Sequence, residues 1–218
     1  WVYSADFPTR ISLEGPAIND ISVQGLTFLR NKVPNPDVVS NGMYVSVLSA
    51  DPNNSESTAA GSQTFDTFSE WLGEDMPLPS MMLGHTGRNG TSVDSIVKCL
   101  ENGLTSDGTM PSGTVYFVTS TDVRSTKRQW QYPRVAGNLR SLGVNAVITE
   151  AFPAGKSDII GLMMGADSVD PGAAGGYLPG CMAEHLTSAA GIFNSDDQTK
   201  LSAWIKAGAT ASAGTVTE

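Results

Sequence analysis

The densest group of chemically active side chains lies toward the carboxyl-terminal end of the chain. Within five residues the sequence contains a carboxylate, an imidazole and two hydroxyls, from Glu184, His185, Thr187 and Ser188. An imidazole can act as a general base or bind a metal ion, because its pKa lies near neutral pH. It can also activate an adjacent hydroxyl or thiol as a nucleophile. One hypothesis is therefore a peptidase-like hydrolase that uses His185 with Ser188 or Cys181. The other is a structural histidine, buried and hydrogen-bonded to the backbone or to a neighbouring side chain. Its segment, Glu184–Ser188, would then stabilise the turn after a strand that begins near Leu178.

A second histidine, His85, lies between Gly84 and Thr86, directly after a predicted strand. Ligands of α/β sheets often bind at such strand ends, and an exposed turn is the alternative position for this residue. The two histidines with Asp167 or Asp170 would supply a metal site, but the sequence lacks HExxH or a similar ligand spacing. The sequence therefore predicts no particular cofactor or metal.

Three further motifs are incomplete. Residues 172–176 are rich in glycine but lack the Lys-Ser/Thr pair that ends a phosphate-binding loop. Ser188 does not lie in the GxSxG motif of serine hydrolases. The polar run 51–57 resembles the start of a calcium loop without its glycine and closing glutamate. The long region 11–80 leaves a third hypothesis open, a metal- or sugar-binding function.

The chain has two cysteines, Cys99 and Cys181, and neither belongs to a CxxC pair. Zinc-ribbon and thioredoxin-like chemistry therefore have no support. Cys99 falls in an apolar helical pattern within residues 93–100, which predicts a buried position for it. We expect two free thiols rather than a disulfide.

The charge balance limits the classes of partner. Thirteen Lys and Arg against 22 Asp and Glu give a formal net charge of −9, which disfavours nucleic acids and anionic membrane surfaces. The apolar runs are far shorter than the roughly 20 residues of a membrane-spanning helix. The densest basic group, Arg124 with Lys127 and Arg128, predicts the solvated start of a helix. A protein or cell-surface partner remains open.

Strand-like and helical sequence patterns alternate from residue 91 onward. Apolar runs at 114–119, 144–148, 159–164 and 209–216 predict strands of one sheet. Helical patterns precede or separate them at 91–102, with Thr91 as cap and Gly103 as its end, at 125–142 with a restart at Pro133, and at 198–207. This order predicts an α/β fold with right-handed crossovers, a mostly parallel sheet and helices on both faces.

The part before residue 81 is organised differently. Strands are predicted at 2–5, 43–48 and 81–83, and a short helix at 65–71, while residues 11–40 are irregular. We therefore expect a single α/β domain over residues 1–218, with a loop-rich part at 1–80 and a regular βαβ part at 81–218.

Several motifs resemble those of a family of uncharacterised exported proteins from planctomycetes and related bacteria. They lie at 3–10, 87–90, 113–117, 122–125, 129–133, 184–188 and 208–218, and the last two are the most specific. The resemblance implies an extracellular or periplasmic location and no known activity. Members of the family run further in both directions, so we expect this chain to be a fragment of a longer precursor.

The order of elements over 159–216 is similar to that of caspase-like and gingipain-like cysteine peptidases. This resemblance implies a caspase-like or flavodoxin-like three-layer architecture, with a His-Gly after one strand and the nucleophilic cysteine after the next. Those positions fall here near Gly165–Asp167 and Thr187–Ser188, which contain no histidine and no cysteine. We therefore expect a non-catalytic domain for binding, assembly or cell-surface structure, with a hydrolase based on His185 as the alternative.

Overall fold

The computed structural model describes residues 2–12, 20–23 and 81–216. The chain divides into two units, Trp1–Leu83 and Gly84–Glu218. This boundary lies close to the predicted change from loop-rich to regular sequence. The organisation of the whole chain as a single domain stays a prediction.

The described residues of the first unit form two small pairs of strands. Strand β1 (Val2–Tyr3) pairs in parallel with β4 (Met81–Met82), so both predicted strands are confirmed over two residues each. Strands β2 (Arg10–Ser12) and β3 (Asp20–Ser22) pair antiparallel within the stretch predicted to be irregular, which is a correction.

The remaining predictions for this part of the sequence lie outside the described residues. They are the strand 43–48, the calcium-like run 51–57 and the helix 65–71. The hypothesis of metal or sugar binding through residues 11–80 falls largely on the same undescribed part.

The second unit is built around a sheet of four parallel strands. They are β5 (Thr114–Val118), β6 (Asn145–Thr149), β7 (Ile159–Gly165) and β8 (Tyr177–Leu186). The helices are α1 (Val93–Ser106), α2 (Val123–Thr126), α3 (Tyr132–Ser141) and α4 (Ser202–Ala207), with short 3₁₀ helices at Gln129–Gln131 and Pro171–Ala173. The predicted α/β class with a parallel sheet is confirmed.

The sheet carries a hydrophobic core on each face, which makes three layers. The core on the α4 side contains Tyr116, Leu162, Ala183 and Trp204. The core on the α3 side contains Phe117, Tyr132, Ala136 and Ala146. Tyr116 and Phe117 point to opposite faces because successive side chains of a strand alternate. An apolar strand buried on both sides is typical of the centre of a parallel sheet.

The strands lie side by side in the order β6-β5-β7-β8. The chain thus moves from β5 to one side and then returns to the other side of β5 with β7. This is the order of the first four strands of flavodoxin-like doubly wound sheets, whose ligands bind at the carboxyl ends of the strands beside that reversal. The end of β7 is therefore a place to look for a site.

The last predicted strand, 209–216, is wrong. Only Ala211 forms a bridge in this stretch, parallel to Met182 of β8. The stretch consists mainly of small residues, which gain little from burial in a strand. It runs beside β8 as an irregular segment, where Ala211 N donates to Cys181 O at 3.0 Å and Ala183 N donates to Ala211 O at 3.0 Å. Further along, the Thr215 hydroxyl donates to Thr187 O.

The fourth strand of the sheet is β8, which continues through a Pro-Gly pair. Gly180 adopts a left-handed φ of 85°, and the register to β7 shifts near Gly161. This irregularity absorbs the Pro179–Gly180 pair, so the strand bends there and continues to Leu186.

Two helix boundaries differ from those predicted. Helix α1 is capped by Ser92, whose hydroxyl accepts from Ser95 N at 3.1 Å, and the helix passes Gly103 to end at Ser106. Helix α4 begins at Ser202 rather than at Gln198, because Gln198 has a φ of 61°, which no right-handed helix allows.

The restart of the middle helix at Pro133 is confirmed, since α3 has proline in its first turn. The predicted end of α4 is confirmed too, because Gly208 follows it with a φ of 110°. Among the described residues, no helix is long and apolar enough to cross a membrane.

Candidate functional site

The side chains of the Glu-His-Leu-Thr-Ser motif are distributed by the alternation of β8. The face that packs against α4 carries Cys181, Ala183, His185 and Thr187, which are all buried. Met182, Glu184 and Leu186 therefore point to the opposite face. His185 lies in β8 itself, one residue before the strand ends, and not in the turn that the sequence predicted for it.

The His185 ring is enclosed and both of its nitrogens are bound. The residue is 1% exposed. Its Nδ1 accepts a hydrogen bond of 2.8 Å from Nε1 of Trp204, and its Nε2 lies 3.1 Å from the carbonyl oxygen of Thr199. Because the indole can only donate and the carbonyl can only accept, the ring is neutral with its proton on Nε2. The predicted geometry of a structural histidine is confirmed.

The electrostatic surroundings keep this ring neutral. Burial lowers the pKa of His185 to about 4, the charges of Arg128 and Lys200 act in the same direction, and the bond to Thr199 opposes them. A proton on Nδ1 would also block the lone pair that accepts the hydrogen bond from Trp204. The ring is therefore a poor general base in the folded protein at neutral pH.

Cys181 is not a partner for His185. The two side chains share a face of β8 but are four residues apart, which places their Cα atoms roughly 13 Å from each other at the usual rise of a strand. Burial also raises the pKa of the Cys181 thiol to about 12. A thiol in this state carries almost no nucleophilic thiolate.

Both cysteines are free, as predicted. Cys99 is only half-buried, which corrects its predicted core position, and its Sγ donates to the carbonyl oxygen of Thr210. Burial raises the pKa of this thiol as well.

Ser188 lies half-buried in the turn that follows β8. The preceding Thr187 donates its hydroxyl hydrogen to Oε1 of Gln198 at 2.6 Å, and Ala189 N donates to the same oxygen at 2.8 Å. The left-handed Gln198 thus holds the turn through its side chain. The position expected for a nucleophile is part of a structural hydrogen-bond network.

The end of β7, where a doubly wound sheet usually binds ligands, is covered by α2. A Cβ atom on Gly165 would lie 2.2 Å from the backbone nitrogen of Ser125. The buried Ser125 hydroxyl and the Gln129 side chain both accept from Ser120 N at 3.1 Å. The chain itself fills the place beside β5 and β7.

This contact gives a direct stability prediction. We expect Gly165→Ala to lower the free energy of unfolding by about 1–3 kcal/mol, because the backbone of α2 cannot yield to the added methyl group. The matched control is Gly137→Ala in α3, where a Cβ meets nothing within 4 Å and helix propensity should add up to about 1 kcal/mol. The free energies come from urea unfolding. If Gly165→Ala were as stable as Gly137→Ala, the close packing of Gly165 against α2 would be wrong.

The buried charge of Lys200 lies near the motif and carries no signal in the sequence. Lys200 is 6% exposed, and its Nζ donates to Ala189 O at 3.0 Å and to Asp197 O. Burial lowers the pKa of this ammonium group. The lysine therefore ties the turn after β8 to the start of α4.

Arg128 and Glu184 form an ion pair on the other face of β8. The guanidinium donates to the Glu184 carboxylate and to the carbonyl oxygen of Met164, and the two side chains are 17% and 24% exposed. Burial raises the pKa of Glu184, and Arg128 counteracts part of that rise. The prediction of a solvated basic group is therefore wrong for Arg128 and for the half-buried Arg124, and it holds for the exposed Lys127.

His85 is half-buried rather than exposed. Its ring stacks on Phe193 with centroids 4.5 Å apart. The neighbouring Asn89 side chain donates to the carbonyl oxygens of Phe193 and Ser195 at 3.1 and 2.9 Å. Within residues 2–12, 20–23 and 81–216, no group of three His, Cys, Asp or Glu side chains could hold a metal ion.

Comparison with known protein families, curated proteins and solved structures found no match to this chain.

Proposed function

We propose that this chain is a non-catalytic domain for binding or assembly, exported to the periplasm or cell surface. The observation that carries the proposal is the binding of both His185 nitrogens inside the protein, to Trp204 and Thr199. A general base needs a free nitrogen that faces its substrate. Export follows from the resemblance to the planctomycete-type family.

The candidate nucleophiles support the same reading. Cys181 is buried, has a raised pKa and lies far along the strand from His185. The residues at the two catalytic positions of the caspase-like clan are Gly165–Asp167 and Thr187–Ser188, of which Gly165 packs against α2 and Thr187 binds Gln198. These contacts support a role in binding rather than in catalysis.

The expected partner is a protein or another component of the cell surface. The net charge of −9 disfavours nucleic acids and anionic membranes. The exposed apolar residues of the second unit, by contrast, suit contact with another polypeptide.

A labelling experiment tests the proposal against a hydrolase. We expect a fluorophosphonate to leave Ser188 of the folded protein unmodified, and iodoacetamide to reach Cys181 only after unfolding in urea, as mapped by mass spectrometry. The half-buried Cys99 is the internal control, because its labelling can be compared with that of the buried Cys181 in the same folded sample.

The opposite outcome is equally specific. A fluorophosphonate adduct on Ser188 that disappears in His185→Gln, while Tm stays unchanged, would establish a hydrolase and overturn the proposal. We expect no adduct on Ser188 in either protein and a lower Tm for His185→Gln than for the wild type.

A further inference from the structure

Helix α1 carries a row of exposed aliphatic side chains. Val93, Val97, Leu100 and Leu104 are 62%, 46%, 46% and 77% exposed. Their spacing of four, three and four residues is that of the a and d positions of a coiled coil, which line the seam between two helices. A row of this kind usually faces a partner, and contiguous exposed apolar surface marks interaction sites.

The other sides of α1 are already engaged within the second unit. Cys99 binds the Thr210 carbonyl, and a Cβ on Gly180 would lie 2.8 Å from Cβ of Ser106, so this side packs along β8. Asp94, Lys98 and Asn102 line a groove shared with α4. At 3.6 residues per turn, the aliphatic row lies about a third of a turn from the packed side, on the flank turned away from α4.

The aliphatic row of Val93, Val97, Leu100 and Leu104 forms what we call the α1 surface. At 100° per residue it lies on the side of the helix opposite the groove shared with α4.

The charges beside the row indicate the chemistry of its partner. At 100° per residue, Asp94 and Glu101 border the row along the edge nearer α4, where Asp94 also lines the groove. Lys98 lies further round in the same direction, 3.5 Å from Glu101. Two copies of α1 packed antiparallel would bring these acidic residues along the same seam, which costs free energy by repulsion of like charges. A helix with basic residues along that edge would be attracted instead.

We propose that the α1 surface binds an amphipathic helix of a partner protein that carries aliphatic residues along one face and Lys or Arg beside them. The aliphatic face packs on Val97, Leu100 and Leu104, and the basic residues face Asp94 and Glu101. This is the helix-in-groove mode of recognition. The inference deepens the binding function proposed above and rests on it.

Two synthetic peptides test this partner chemistry. Both are fluorescein-labelled helix formers with leucine at a and d positions, one with lysine and one with glutamate at the flanking positions. We expect the lysine peptide to bind the whole chain in fluorescence anisotropy at low ionic strength, at least about tenfold more tightly than the glutamate peptide. Added salt should reduce this preference, since the attraction is between exposed charges.

Variants locate the binding on α1. Leu104→Asp should weaken binding of the lysine peptide by about tenfold or more, because it places a charge in the apolar seam. Leu142→Asp, at another exposed leucine that is 67% exposed, is the matched control and should leave the affinity unchanged. Exchange of Asp94 and Glu101 for lysine should shift the preference to the glutamate peptide. Circular dichroism checks that each variant is folded.

Three results would overturn the inference. They are equal affinity for both peptides, binding that Leu104→Asp does not change, and a dimer in light scattering that Leu104→Asp dissociates, which would make a second copy the occupant. Because none of them involves Ser188 or Cys181, each would leave the labelling test of a non-catalytic domain standing. An adduct on Ser188 would instead reject the proposed function and not the α1 surface.

Discussion

Between pH 6.5 and pH 4, the folded protein should lose stability faster than a His185→Gln variant. The pKa of His185 falls from 6.5 in an unfolded chain to about 4 in the folded one. In this window the unfolded state binds more protons than the folded state, so the free energy of unfolding decreases as the pH falls. The slope approaches about 1.4 kcal/mol per pH unit, and the total loss is on the order of 3 kcal/mol.

The comparison with His185→Gln isolates this effect. The other ionisable groups are the same in both proteins, including Glu184, whose pKa burial raises, so their contributions cancel in the difference. Urea unfolding at several pH values supplies the free energies. Parallel pH profiles for the two proteins would show that the ring is not held neutral.

Trp204→Phe provides a second check on the same hydrogen bond. Without the indole donor, Nδ1 of His185 is free to take a proton, so the pKa should rise toward its usual value. The variant should be less stable at pH 7 because the smaller ring leaves a cavity, yet its stability should depend less steeply on pH. A steeper dependence would contradict the assigned tautomer.

The sheet could be predicted where the chain uses strong local patterns. The apolar run of β5, Val115 to Val118, is buried on both sides, and the helical patterns around it give the crossovers. The strand predicted to begin near Leu178 is β8, but its full length to Leu186 could not be predicted. Its continuation through the Pro179–Gly180 pair depends on the left-handed Gly180 and the shifted register to β7. Small residues at 209–216 suggested a strand that the sheet does not contain.

The motif around His185 could be found in the sequence, but its role could not. Trp204 and Thr199, which bind the ring, are 19 and 14 residues away. A pattern shows which face of a strand a residue occupies and does not show what it meets there. The same limit applies to Arg128, whose partner Glu184 is 56 residues away. The charge of Arg128 and its neighbour Lys127 suggested a solvent-exposed position.

Loss of the carboxylate from the ion pair of Arg128 and Glu184 should clearly destabilise the protein. Glu184→Ala removes a carboxylate acceptor and leaves the guanidinium partly buried, so we expect a loss of about 2–3 kcal/mol. This is less than the 3–5 kcal/mol of fully buried pairs, because both side chains keep some exposure. The control is Glu101→Ala in the exposed pair with Lys98, which should change stability by less than about 1 kcal/mol.

A double-mutant cycle separates the attraction from the cost of burial. Arg128→Met combined with Glu184→Leu removes both charges and keeps apolar volume, so its loss should be smaller than the sum of the two single variants. The double variant also removes the hydrogen bond from Arg128 to the carbonyl oxygen of Met164, and this lost bond accounts for the remaining loss of stability. Additive losses in urea unfolding would mean that the two side chains do not interact, and that β8 is fixed to the segment after α2 by packing alone.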